Sequence, residues 1–329
     1  MRFKTLCVVS IAAFLFAVPF SNAQEQQIPT SDQVIRVTVE MVQVDAQVLQ
    51  KKTGRPVGLL NKEDFRLFED GVQQSVAEMS RDQLPLSVVL LFDLTDSVRP
   101  VLKPLAAGAL DALKHLKPED EVAVMVYAAK TELLQDFTTN RGQVVAAIRR
   151  AGDMESSEAA FFNEAVFQAS NLLSKAKNPR SRRTIIWLTD NVPNIPNDGV
   201  HSESDAFHEV FETGTVVSAL LERSAFSDVA MVAFSRNPIF APSRKHHPPG
   251  DVYKYAERTG GDVMKSGKDE VSAKLARLID EIRTRYTLGY YPSSKQPKGK
   301  FCEIKIQMTK EAEKREGQMK VRTKKGYYR

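Results

Sequence analysis

The sequence predicts a doubly wound α/β domain with a mostly parallel central sheet, framed by a small β-rich unit built from the N- and C-terminal segments. Three observations predict it. Short apolar runs recur at residues 87–92, 121–128 and 183–189, and their lack of alternation suits strands buried on both faces. Helical patterns separate these runs, and alternation of strand with helix is the mark of a parallel sheet wrapped by helices. On either side of residues 84–285 the pattern changes to β-branched segments broken by turn residues.

The 329 residues suffice for two domains. Apolar residues at 42% and charged residues at 26% exclude disorder and collagen-like repeats. At the start, Arg2 and Lys4 precede an apolar run over residues 6–20, followed by Ser21, Asn22 and Ala23. The run is shorter than the about 20 apolar residues of a membrane span and holds Pro19 near its end. Residues 1–23 therefore read as a secretory signal peptide cleaved after Ala23. Cys7 lies inside the run with no Cys after the small residues, so no lipoprotein site is indicated. No later segment is apolar enough to span a membrane, and the mature protein is expected to be secreted or periplasmic without a transmembrane anchor. Removal of Arg2 and Lys4 lowers the formal net charge from +5 to +3. That balance gives no electrostatic case for nucleic acid or anionic lipid. Cys302 is then the one remaining cysteine, and its neighbours Phe301, Ile304 and Ile306 suggest a buried apolar position in a strand.

Residues 24–83 form the N-terminal β-rich unit. Within residues 34–49 the apolar parity switches near Met41 and Val42, which suggests a bulge or break. Asn61 can cap a short turn. Residues 65–69 read as a strand, Asp70-Gly71 as a tight turn and residues 72–76 as the return strand. The α/β domain follows over residues 84–285. A helix is expected after the loop that ends at Arg99, with Pro104 in its first turn and Val101, Leu105, Leu113 and Leu116 near one face. Helices are also expected at residues 142–150, 161–176 and 269–285, and a broken one at 204–223. Residues 229–234 read as another strand. Residues 286–329 return to β, with strands near 286–291, 301–308 and 319–323 expected to pack with the N-terminal unit. The interleaved charges of residues 310–316 read as an exposed turn.

In an open α/β sheet, ligands bind beyond the carboxyl ends of the strands. Two such ends carry oxygen donors: Asp93, Thr95 and Ser97 after one apolar run, and Thr189 and Asp190 after another. If the two strands are neighbours, Asp93 and Asp190 meet. Carboxylates with hydroxyls suit a hard divalent cation, and Mg²⁺ keeps several of its waters. Spacing alone leaves a second reading open, in which Asp93 and Ser97 turn the chain and cap the following helix.

Asp93-x-Thr95-x-Ser97 after a buried strand, with Leu188-Thr189-Asp190 later, resembles the von Willebrand factor type A domain and its metal-ion-dependent adhesion site. More narrowly, the mature chain resembles a bacterial family of secreted proteins related to that domain. This likeness rests on the stretch from Leu60 through Asp64 to Gly71, on Ala256-Glu257-Arg258-Thr259-Gly260-Gly261, on Tyr286 to Pro292, and on Val321-Arg322 with Gly326-Tyr327-Tyr328. The resemblance implies a Rossmann-like fold and a protein-binding site dependent on Mg²⁺ or Mn²⁺. It assigns Thr95 and Ser97 as direct ligands, Asp93 and Asp190 as ligands through water, and a carboxylate of the partner protein as the completing group. The family pattern usually has a Thr as a third hydroxyl, and here Ala160 falls nearest that position with no glycine pair before it. Asn191 stands where Gly is common. Loss of an oxygen ligand weakens cation binding, although water can take the place.

Other chemistries lack their residues. Gly267-Lys268 is followed by Asp269, so there is no phosphate-binding loop of the Gly-Lys-Ser/Thr kind. No His-Glu-x-x-His, Cys-x-x-Cys or Gly-x-Ser-x-Gly occurs. His201, His208, His246 and His247 read as solvated loop histidines, and Tyr286, Tyr290, Tyr291, Tyr327 and Tyr328 as strand-packing residues. The function expected is an exported, non-enzymatic protein that mediates protein–protein interaction or adhesion, aided by a metal at a partly degenerate site. A metal-independent scaffold of the cell envelope is the alternative. A hydrolase using Asp93 and Asp190 ranks below both, because no general-base histidine stands beside the motifs.

Overall fold

A computed structural model describes residues 41–81, 84–96, 98–156, 160–191, 201–222, 251–293 and 296–329. They fall in a unit that runs from Val39 to Arg329. The signal peptide, the strand expected at 229–234 and His246-His247 lie outside the described residues.

Strand β1 (Val42–Gln50) inserts Val44, Ala46 and Val48 into a core. Strands β2 (Phe65–Glu69) and β3 (Val72–Gln74) form a hairpin turned by Asp70 and Gly71, both with positive φ. Two consecutive left-handed residues match the twist of the paired strands, and Asp and Gly tolerate that conformation best. The return strand ends at Gln74, earlier than residue 76, and β4 (Val76–Ser80) crosses to another sheet.

The doubly wound region begins with β5 (Leu86–Asp93), buried at every position. Helix α1 (Arg99–Leu113) starts with Pro100 in its first turn. Pro104 thus sits a turn further inside than the sequence suggests, where its ring removes one helical hydrogen bond. Strand β6 (Glu121–Tyr127) is wholly buried and pairs with β7 (Thr131–Thr138), a half-exposed edge strand that the sequence pattern did not reveal. Next come α2 (Arg141–Asp153), capped by the Asn140 side chain, α3 (Phe162–Ser174) and β8 (Arg182–Thr189). The stretch expected as a broken helix divides instead into α4 (Glu203–Glu212) and the buried strand β9 (Val216–Glu222). Gly214, at φ +67°, turns the chain between them. Helix α5 (Val252–Thr259), strand β10 (Val263–Ser266) and helix α6 (Val271–Arg283) complete the region.

Among the described residues the central sheet has the order β10-β9-β8-β5-β6-β7, parallel throughout except for β7. Alternate residues of β5 supply two cores. Val88, Leu90 and Phe92 join residues of α1, α2 and α6 on one face. Val89 and Leu91 join Trp187 and residues of α3, α4 and α5 on the other.

The remaining strands are β11 (Tyr286–Tyr290), β12 (Phe301–Met308), β13 (Met319–Thr323) and β14 (Gly326–Tyr328). With the first four strands they make two antiparallel sheets, β13-β1-β11-β4 and β14-β12-β2-β3. Both sheets contribute to one core, where Leu67, Tyr286, Leu288, Cys302 and Ile304 meet. Residues 310–316 are not a turn: Lys310–Glu316 is helix α7, capped by Thr309 and anchored by the buried Ala312. Glu311 and Glu313 lie in its first turn and Lys314 and Arg315 in its last, as the helix dipole favours.

Where α5 meets β10, Gly260 and Gly261 permit two close approaches. Gly260 closes α5 in the left-handed conformation, at φ +79°. A Cβ on Gly261 would lie 1.8 Å from the Val217 carbonyl oxygen, a rigid backbone atom of β9. Gly261→Ala is therefore expected to destabilise the fold by about 3 kcal/mol or more. Chemical denaturation checks this, and a midpoint equal to wild type would refute it.

No helix among the described residues is long and apolar enough to cross a membrane.

Candidate functional site

Parallel pairing of β5 with β6 and β8 brings their carboxyl ends side by side. Asp93 is the last residue of β5 and is fully buried, while Asp190 follows β8 and is nearly so. The Asp93 carboxylate is held from three directions. Its Oδ2 accepts from the Tyr127 hydroxyl at 2.9 Å and from Thr189 Oγ1 at 3.0 Å, and its Oδ1 accepts from the Thr95 amide at 2.9 Å. Tyr127 lies opposite Asp93 in the β5–β6 register, so strand pairing alone delivers its hydroxyl. The Trp187 indole N–H in turn donates to the Tyr127 oxygen at 2.8 Å. Thr189 Oγ1 also accepts from the Asn191 amide at 3.0 Å.

Burial first, and the nearby charge of Asp190 second, push the Asp93 carboxyl up to about 6. The hydrogen bonds from Thr95 and Tyr127 oppose that rise but do not cancel it. Burial and the Asp93 charge hold the Tyr127 phenol well above its ordinary value, so it stays a donor. The carboxylate therefore sits where its negative charge is poorly compensated by the protein.

Asn191 takes a left-handed backbone, at φ +60°, which explains how it serves where Gly is common. Its side chain also has work that Gly lacks: Oδ1 accepts from the Val252 amide at 2.9 Å, tying the rim of the crevice to the start of α5. Asp251 caps that helix by accepting from the Tyr253 amide. Thr95 is buried beside Asp93, while Ser97 lies outside the described residues. Ala160 packs in the apolar cluster with Tyr127, Phe162 and Trp187, so a methyl group occupies the position nearest the third hydroxyl of the pattern. The Ser156 hydroxyl is engaged by the Asp96 carboxylate.

Among the described residues, no three His, Cys, Asp or Glu side chains gather into a group that could hold a metal ion. The donors at the strand ends are carboxylate and hydroxyl oxygens. That set, with a buried carboxylate beside a second one, fits a hard divalent cation and not a thiolate- or imidazole-seeking one.

Of the histidines expected in solvent, His208 is exposed, on α4 and not in a loop, whereas His201 is half-buried. His201 stacks on Phe167 with ring centroids 3.5 Å apart, and its Nδ1 lies 2.7 Å from the Glu164 carboxylate. His208 lies 4.3 Å from the Tyr328 ring. Tyr286 donates to the Val57 carbonyl and Tyr290 to Glu69, both from buried positions, whereas Tyr291 is exposed. Cys302 is buried, and burial pushes its thiol up.

Residues 88–192 match the family of the von Willebrand factor type A domain. The chain thus carries a domain of that class, with extra β-rich segments around it. The match takes in Asp93, Thr95, Ser97, Ala160 and Asp190. Among solved structures, the conserved hypothetical protein BatB from Bacteroides thetaiotaomicron is 15% identical, over 60% of this chain and 98% of that one, with a TM-score of 0.42. The vWF domain of the type V pili tip protein Mfa5 from Porphyromonas gingivalis is 11% identical, over 61% of this chain and 96% of that one, at 0.43. A von Willebrand factor type A protein from Catenulispora acidiphila is 10% identical, over 83% and 71%, at 0.44. No curated protein matches the chain significantly.

Proposed function

We propose that this is an exported binding protein whose type A domain holds a protein partner at the strand-end crevice with the help of Mg²⁺ or Mn²⁺. Asp93, Thr95, Ser97 and Asp190 would hold the cation. When bound, the cation supplies a positive charge that offsets the two aspartates and a coordination place for a carboxylate of the partner. One observation carries this reading: a fully buried carboxylate, Asp93, faces a second one at the shared end of two parallel strands. Export rests on the basic and apolar opening of the sequence, with release into a periplasm or the medium. The activity proposed is binding, not turnover.

Calorimetric titration of the purified protein with Mn²⁺ tests the proposal. Saturable heat at or below millimolar concentration is expected for wild type and none for Asp93→Ala. Absence of heat in wild type would remove the cation from the proposal.

A second reading, a metal-independent envelope scaffold, draws support from Ala160, which gives no oxygen where the family pattern has a third hydroxyl. Partner capture that survives a chelator would favour that reading over the first.

A further inference from the structure

The aromatic cluster behind Asp93 contains polar atoms that packing does not require. Phe162, Tyr127, Trp187 and Tyr255 meet edge to face, with centroid separations of 5.2–6.0 Å. Phenylalanine at positions 127 and 187 would preserve most of this apolar contact without burying an O–H or an N–H. Instead, both polar groups are aimed along one line. Trp187 Nε1–H has a single proton and gives it to Tyr127. That acceptance turns the Tyr127 proton toward Asp93 Oδ2, at 2.9 Å, and away from Thr189 Oγ1, at 3.4 Å. A second line converges on the same atom: Asn191 N–H donates to Thr189, whose hydroxyl donates to Asp93 Oδ2. Two donors occupy Oδ2, so the carboxylate is turned with Oδ1 toward the Thr95 end of the crevice loop.

We infer that Tyr127, fixed by Trp187, is a positioning residue for the cation site, setting which oxygen of Asp93 faces the crevice. The inference rests on the cation reading of the same site. Groups that orient a metal ligand from behind typically contribute 10- to 100-fold to metal affinity.

The test compares wild type, Tyr127→Phe and Trp187→Phe by calorimetry with Mn²⁺, and wild type with Tyr127→Phe by tryptophan emission with Mg²⁺. Trp187 is the chain's one tryptophan, so its emission reports on this cluster without a label. Wild type should show a saturable emission change with Mg²⁺. Tyr127→Phe should bind Mn²⁺ about 10-fold more weakly and lose most of the emission response to Mg²⁺. Trp187→Phe should weaken Mn²⁺ binding by a smaller factor, about 3-fold, because the Tyr127 hydroxyl remains but is no longer held. A purely structural role predicts a lower melting temperature with an unchanged Mn²⁺ dissociation constant, and that result overturns the inference. If Tyr127→Phe does not fold, Trp187→Phe decides in its place, with the same unchanged constant as the overturning result. Wild type that takes up no Mn²⁺ overturns both the cation reading and this inference. Wild type that binds while Tyr127→Phe binds equally overturns the inference alone.

Discussion

Arg182→Ala is expected to destabilise the protein by about 3–5 kcal/mol, the range for breaking a buried ion pair from one side. Arg182 opens β8 at the end of the sheet opposite to Asp93 and is almost wholly buried. Its Nε pairs with Asp45 of β1 at 2.8 Å. Its Nη1 donates to the Ile282 carbonyl at the end of α6, and its Nη2 to Thr287 of β11. Thr287 in turn donates to the other oxygen of Asp45. One guanidinium therefore ties the central sheet, its last helix and the antiparallel β layer together. Removing it leaves the Asp45 charge and the carbonyls of Ile282, Arg283 and Arg285 short of a donor in a low-dielectric junction. Chemical denaturation reads the effect, and a loss below about 1 kcal/mol would show that the junction is solvated and loosely held. The double variant Asp45→Ala with Arg182→Met should recover part of the loss, because it removes the orphaned charge as well as its partner.

The second large effect is one of pH. The Asp93 carboxyl lies at about 6 in the folded protein, against an ordinary value of 3.8. Between those values the folded state binds the proton more tightly than the unfolded one, so this group favours folding most below about 3.8 and loses that contribution as pH rises through 6. The span corresponds to about 3 kcal/mol in metal-free protein. Asp64, Asp70 and Asp205 are shifted down and contribute in the opposite direction, so the effect must be read as a difference. Stability of wild type relative to Asp93→Asn should fall from pH 4 to pH 7 and then level. A flat difference would refute it. The same proton competes with a cation. Mn²⁺ affinity should therefore be about 10-fold weaker at pH 5 than at pH 7, with a proton released on binding.

The centre of the fold was legible because strands buried on both faces need continuous apolar residues, and residues 87–92, 121–128 and 183–189 provide them. β9 was missed for a related reason. A short apolar run directly after a helix has no period to distinguish it, and Thr213-Gly214 was the signal that could have separated the two. β7 escaped because an edge strand beside a helix is only half buried, which blurs its alternation. α7 hid behind its charge; its Thr309 cap and the placing of Glu311 and Glu313 before Lys314 and Arg315 were the available clues. At the site, Asp93 and Asp190 were visible as acids placed just after apolar strands. Thr189 was visible beside Asp190 as an oxygen donor, but its bond to Asp93 was not, and Tyr127 and Trp187 were not visible at all, because these roles depend on the register between strands. Asn191 could be seen as a departure from a pattern, but its bond to Val252 required the fold.

The central place of β1 in its sheet also sets an order of assembly. β1 is paired on one side with β11, Val42 opposite Tyr290, and on the other with β13, Ala46 opposite Thr323. A chain made from its N-terminus has one edge of β1 open until residues 286–290 exist and the other until residues 319–323 exist. The doubly wound region, whose neighbouring strands are closer in sequence, can collapse first. During that interval an unpaired β strand with an apolar face is free to find another copy of itself. The thermodynamic partners of β1 are thus also the timers of its exposure.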